Sequence, residues 1–195
     1  MDNIIFRVAD SAQLILKAKQ LCHDIYLQQG YITRPYPNRI IPMGDTNAVY
    51  IVAITPDKEV KGTIRLSRQD PFSILHLWRA NMYVTSGVLI QTAKRSICFS
   101  IGGLAVAKEY AGLKISWGLY NMAYNWALTN NMAYGIITMD QRAFRSLKMV
   151  GWHAEQVADP VYYFGSLTIP AIIPIAEQPR NMIFKQKPHF QYFRA

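Results

Sequence analysis

The chain is poor in the residues that staple small domains or hold metals. It has 2 cysteines among 195 residues. Cys22 and Cys98 both sit in apolar contexts, so no disulfide framework is expected, and no Cys/His spacing resembles a zinc site. They read as buried free thiols of a protein kept in a reducing cytoplasm. Acidic residues are scarce too: 12 against 21 Lys plus Arg, a formal net charge of +9. That surplus favours a polyanionic or acidic partner, whether nucleic acid, acidic protein, anionic membrane or phosphorylated cofactor. Lys and Arg form no run of the kind that marks a nucleic-acid arm, so no nucleic-acid partner is expected. No apolar run reaches the length of a membrane span, and MDNIIFRVAD lacks the basic and apolar regions of a signal peptide. Repeats and low-complexity segments are missing. No Ser or Cys stands in a nucleophile-plus-base arrangement, which argues against a covalent enzyme intermediate.

What the chain does have is hydrophobic content of 51%, enough to expect order throughout one globular domain. Residues 1–177 read as that single domain. Residues 178–195 read as a basic, aromatic tail that docks on the body, touches a partner or frays.

Ile4–Val8 reads as a first strand, and Asp10 or Ser11 as the cap of a helix with Leu14, Ala18, Leu21, Cys22 and Ile25 on one face. That helix ends near Gly30, and the Pro-rich segment YITRPYPNRIIPMGD follows as a long loop. Ala48–Ile54 and Val60–Ser67 form a hairpin. Asp70–Lys94 shows little periodicity and is read as partly helical. After the central stretch come a strand over Tyr134–Met139, a helix over Gln141–Val150, and strands over 152–157 and 161–176. Pro170 and Pro174 mark part of the last region as edge or bulge. The order implies a mixed sheet with helices on its faces.

The centre of the chain is SICFSIGGLAVAKEYAGLKISWGLYNMAYNW, Ser96–Trp126. Its first part is a nearly continuous apolar strand interrupted by Gly102 and Gly103, as at a bulge or a close approach to a ligand. Its second part is a helix with Ile115, Leu119, Met122, Ala123 and Trp126 on one face. A strand that turns tightly into a helix aims free backbone N–H groups at one point, where an anion or a polarised carbonyl can sit.

LAVAKEYAGLKIS, DIYLQQGYI after the first helix, GTIRL on the third strand and the helix-ending FRSLKMVGW, in this order, resemble the GCN5-related N-acetyltransferase (GNAT) superfamily. Within it they resemble the branch of long-chain N-acyl amino acid synthases and acyl-homoserine-lactone (autoinducer) synthases. The resemblance runs from Ala18 to about Ile175. It implies an α/β (α+β) fold: a mixed, mostly antiparallel central sheet flanked by helices, with an acyl-thioester cleft between the central strands. It implies transfer of a medium or long acyl group from an acyl-carrier-protein phosphopantetheine or acyl-CoA to an amine such as an amino acid, with no metal. By resemblance, backbone N–H groups at Leu104, Ala105 and Val106 hold the acyl carbonyl and pantetheine arm. Tyr110, Ala111, Gly112, Leu113, Lys114 and Ile115 approach phosphate, Gly102 and Gly103 belong to the substrate site, and Tyr26 and Tyr31 either line the substrate entrance or, as amphipathic aromatics, simply pack.

The chain departs from the pattern in several places. The pyrophosphate loop Gln/Arg-x-x-Gly-x-Gly/Ala reads Glu109, Gly112 and Lys114 here. That favours a carrier protein, which presents one phosphate and is acidic, over coenzyme A. The branch's Glu-x-x-Arg reads Ser100 and Gly103, and Leu147 stands where many acetyltransferases place Tyr. Cys22 stands where the branch often has Arg. Ser100 cannot take a proton unaided at neutral pH. A second reading is therefore a degraded member that binds an acyl ligand or acidic partner without turnover.

Among single residues, Arg65 belongs either to the cleft, as the branch implies, or to a solvent face shared with Lys61 and Thr63. Asp140 is a candidate base, but a helix cap fits its position better. His76 and His153 are the histidines expected at depth, with structural roles. Trp126 and Trp152 are expected to anchor the core, and Met82, Met122 and Met149 to fill it.

Overall fold

The computed structural model describes residues 4–43, 47–79, 81–149 and 151–178; the tail from Pro179 and the last residue of the helix expected over Gln141–Val150 lie outside them. The described strands and helices are β1 (Ile5–Val8), α1 (Ala12–Gln28), β2 (Val49–Ile54), β3 (Val60–Ser67), α2 (Gly87–Lys94), β4 (Cys98–Val106), α3 (Leu113–Thr129), β5 (Tyr134–Asp140), α4 (Gln141–Met149), β6 (Glu155–Gln156), β7 (Val161–Tyr163) and β8 (Ser166–Pro174). The strands are mixed and mostly antiparallel, with helices on the faces. The described residues form two compact units, one from residues 4–66 with Gly103–Ala123, the other from Ser67–Gly102 with residues 124–178.

In the first unit β1 pairs antiparallel with β2, and β2 with β3. The β2–β3 turn closes through Thr55 N to Glu59 O at 3.0 Å and Lys58 N to Thr55 O at 2.9 Å. Ser11 caps α1, its Oγ accepting from Leu14 N at 3.3 Å. Along one face of α1, Leu14, Ala18 and Leu21 pack with Tyr50, Val52 and Val60. One turn on, Cys22 and Ile25 pack with Ile32, Ile41 and Ala105. Helix α3 lies close to β1 because Gly118 has no side chain: a Cβ there would sit 2.2 Å from the Phe6 ring.

In the second unit β5 lies parallel to the first half of β4, Cys98–Ile101 against Tyr134–Ile137, and antiparallel to β8. The other edge of β8 pairs with β6 and β7. Leu75, Ile90, Ala93, Cys98, Ile136, Val157 and Ile172 fill the core between these strands and α2. Phe99 meets Trp126 edge to face at 5.4 Å, and Trp152 meets Tyr124 at 5.9 Å.

Several expectations need correction. Residues 161–176 are a hairpin, β7 and β8 joined through Phe164 and Gly165, both at positive φ. Residues 152–157 reduce to the two-residue strand β6. β8 is paired on both sides despite its prolines. A strand residue directs its N–H and C=O to the same edge, and Pro170 O accepts from Val157 N at 3.1 Å. The missing Pro170 donor therefore faces the gap between the stretches of β8 paired by β6 and β7, and the β5 ladder loses nothing. Asp70–Lys94 is partly helical as expected, with a 3₁₀ segment over Ser73–Trp78, another over Val84–Ser86, and α2; turns of three residues lack the 3.6 period. Met149 is 66% exposed and so fills no core.

Candidate functional site

The first unit gathers most of the residues singled out from sequence. β3 is covered on both faces, which overturns the solvent-face alternative: Thr63 is fully buried and Arg65 only 8% exposed. A guanidinium at that depth must be held by acceptors, and one is the Met43 carbonyl, 3.0 Å from an Arg65 terminal nitrogen. Beside Arg65 passes Gly103, at φ +58, where a Cβ would stand 3.2 Å from Arg65 Cβ and 3.8 Å from both Cys22 Sγ and Met43 Cε. Glycine is required there twice over, by the left-handed backbone and by the close approach. The glycine thus brings the β4 backbone against the Arg65 side chain.

Beyond Gly103, Ala105 is buried in the cluster of Cys22, Ile32 and Ile41, whereas Leu104 and Val106 are half-exposed. Ala107 N donates to Lys61 O at 2.9 Å. Because successive strand residues alternate edges, the N–H groups of Leu104 and Val106 point to the edge opposite β3. The turn after β4 holds Lys108–Tyr110 in one 3₁₀ turn and passes through Gly112 at φ +142 into α3. Glu109 is exposed and lies 3.4 Å from Lys61 Nζ, which is also 5.6 Å from the centre of the Tyr110 ring. Ala111, Gly112 and Lys114 are exposed, and Ile115 is buried.

Tyr26 and Tyr31 meet edge to face at 5.2 Å. Burial pushes the Tyr26 hydroxyl well above the usual phenol range, and the neighbouring Cys22 and Tyr31 add to this. Burial also raises the Cys22 thiol to about 12, although Tyr26 and the Arg65 charge pull it down. Cys22 is therefore a neutral apolar wall at physiological pH, not a nucleophile.

His23 was missed by the sequence reading, which placed His76 and His153 at depth. Those two are exposed and His23 is 1% exposed. Its Nε2 accepts from Tyr36 N at 3.0 Å, so Nδ1 carries the proton and donates to Asp24 Oδ1 at 2.9 Å. Asp24 in turn binds Arg39 through both carboxylate oxygens. This chain of bonds ties the Pro-rich loop to α1, and the loop carries Ile32, Ile41 and Met43. The available signal was the position of His23 one residue after Cys22 on the apolar face; its loop partners are not visible in a helical period.

The second unit holds Ser100, Gly102 and Asp140. Ser100 is buried, with Oγ 3.5 Å from Ser67 O. Gly102 is half-buried in open surroundings, with nothing within 4 Å of an added Cβ. Asp140 Oδ1 accepts from Arg142 N at 2.7 Å and Ala143 N at 3.4 Å, the geometry of a cap on α4.

No curated protein sequence matches the chain. Solved structures share its fold. The acyl-homoserine-lactone synthase LasI superposes with a TM-score of 0.70 at 8% identity, covering 100% of both chains. BjaI, described as a CoA-dependent acyl-homoserine-lactone synthase solved with SAM and isopentyl-CoA, gives 0.67 at 15% identity over 92% of this chain and 86% of that one. FeeM, an N-acyl amino acid synthase from uncultured soil microbes, gives 0.66 at 13% identity over 94% and 97%. The sequence model of one family matches residues 17–174, a span holding both Arg65 and the Gly103–Val106 strand, and the chain accordingly belongs to the FeeM family of N-acyl amino acid synthases.

Proposed function

We propose that the protein is an N-acyltransferase that moves a medium or long acyl group from a thioester to an amine such as an amino acid. The family match over residues 17–174 carries this reading. The site geometry supports it. The edge of β4 that bears the Leu104 and Val106 N–H groups is the natural seat of the thioester carbonyl. A backbone donor aimed at the developing oxyanion contributes on the order of 3 kcal/mol in enzymes where one has been removed. Ala105 backs that seat, and Gly103 lets the β4 backbone pack against Arg65, a fixed cation that suits a carboxylate on the acceptor. Tyr26 and Tyr31 border the path of the acceptor, and holding amine and thioester together supplies further rate. The reaction is direct attack of the amine on the thioester. The N–C bond forms, the C–S bond breaks, the thiolate leaves, and the amine's proton passes to water.

The donor is a carrier protein in preference to coenzyme A. The residues Tyr110–Ile115 form the phosphate turn at the start of α3, yet Glu109 and Lys114 stand where a pyrophosphate would be approached most closely. A single phosphate asks less of such a turn, and the +9 chain suits an acidic protein. Incubating the pure protein with acyl-carrier-protein and acyl-CoA thioesters and a panel of amines, with mass spectrometry for N-acyl products, tests the reading. Products are expected, faster from the carrier protein. A folded sample that turns over no donor contradicts it.

Ser100 and Gly103, in place of a carboxylate and a cation, favour a second reading: a protein that binds an acyl ligand or acidic partner without chemistry. Thermal stabilisation by acyl thioesters without product is its signature.

A further inference from the structure

The second unit carries a groove of about 650 Å³ whose walls include Tyr83, Lys148, Trp152, His153 and Glu155. His153 and Glu155 also meet Glu177, which is not part of that wall, and the donor atoms of the three all lie within 4.8 Å of one another. We propose that His153, Glu155 and Glu177 bind a divalent transition-metal ion, zinc by preference, at a site that serves no step of acyl transfer.

The His153–Glu177 ion pair has a spacing that a shared ion could also take. Two donors side by side on an ion with bonds of about 2.1 Å stand roughly 3.0–3.4 Å apart, and His153 Nδ1 is 3.3 Å from Glu177 Oε2. Rotation about the exposed Glu155 side chain brings in the third donor. The backbones beneath are fixed. In extended chain, residues two apart share a face, so His153 and Glu155 project together, and β6 holds Glu155 opposite Ile172 of β8. The buried side chain of Gln178 accepts from His153 N at 2.9 Å and donates to His153 O at 2.8 Å and Pro174 O at 2.7 Å. That clamp sets Glu177 beside His153. Trp152, 5% exposed, anchors the neighbouring residue in the core.

Charge makes the same point. A pair of His153 with Glu177 needs only one carboxylate. The second, Glu155, adds repulsion that a bound cation removes. One imidazole with two carboxylates suits zinc better than magnesium or calcium, which prefer oxygen donors alone, and zinc takes such mixed His/carboxylate sets in four-coordinate sites. Three protein donors leave one position of a tetrahedral ion for water or an anion in the groove. The ion would clip the chain at Glu177 onto β6.

The test uses the full chain, free of any purification tag and stripped with chelator. Calorimetric titration with Zn²⁺ and visible absorption with Co²⁺ are expected to show one saturable equivalent. His153→Ala, Glu155→Gln and Glu177→Gln are each expected to weaken it by about tenfold or more, while His76→Ala leaves it unchanged. All four side chains are exposed, so folding is checked by thermal unfolding in chelator. No saturable equivalent overturns the proposal, and so does binding that survives in the three ligand variants or falls equally in His76→Ala.

Discussion

Replacing Gly103 by alanine is expected to damage the protein, while the same change at the adjacent Gly102 is not. At Gly103 the backbone sits at φ +58, where a side chain costs about 1–2 kcal/mol. The new Cβ would also stand 3.2 Å from Arg65 Cβ. That atom is the root of a strand side chain whose far end is held by Met43 O at 3.0 Å, so it cannot swing aside freely. Overpacking of this kind adds about 1 kcal/mol or more. The sum, roughly 2–3 kcal/mol, lowers Tm by about 4–12 °C for a chain of this size. At Gly102 an added Cβ meets nothing within 4 Å and φ lies outside the left-handed region. Gly102→Ala should therefore stay within about 0.5 kcal/mol of the parent, because alanine also loses less entropy on folding. Thermal and urea unfolding followed by circular dichroism compare the two variants. Equal destabilisation by both, or a Gly103→Ala variant with unchanged Tm, would refute the reasoning.

Asp140→Ala should cost about 1 kcal/mol as a lost cap and Asp140→Asn very little; turnover retained in the asparagine variant marks a cap, whereas turnover lost in that folded variant marks a base. His23→Leu leaves the Tyr36 N–H without its acceptor at a cost of about 1–3 kcal/mol. Hydrogen exchange over residues 31–43 should then quicken, with His23→Gln restoring much of the protection; identical behaviour of the two variants contradicts the tie. Burial raises Cys22 from 9.0 to about 12 and Cys98 from 9.0 to about 11. Both thiols are held protonated by the fold while the unfolded chain releases its protons from about pH 9, so stability is full below pH 9 and declines from there towards pH 11–12. Urea midpoints across that range measure the decline, and a flat profile is the contrary result.

Strands and helices that obey one period were legible in the sequence. The face Leu14, Ala18, Leu21, Cys22 and Ile25 placed α1, and Val60–Ser67 was recognisable as β3 from its β-branched and apolar content. The 3₁₀ turns between Asp70 and Gly87 were not, because they share no period with a helix or strand. Alternation suggested a wet face for Lys61, Thr63 and Arg65 because it reports polarity and not cover. The apolar surroundings of Arg65 come partly from the Pro-rich loop, which has no pattern to read. Gly103 stood out as a glycine in a strand, and the structure adds the reason: a left-handed turn of backbone packed on Arg65. His23 was overlooked since its bonds run to Tyr36, thirteen residues away across that same loop. His153 was expected at depth, yet the alternation of extended chain turns Trp152 in and His153 out.

The most direct measurement is single-turnover acyl transfer from a medium-chain acyl carrier protein to amino acid acceptors, followed by mass spectrometry in the wild type and in Arg65→Met. We predict N-acyl amino acid formation by the wild type, and loss of at least about tenfold in the variant at unchanged secondary structure. No product from the folded wild type, or product formed equally well without Arg65, would contradict an acyl-transfer site built on Arg65 and the Gly103–Val106 strand.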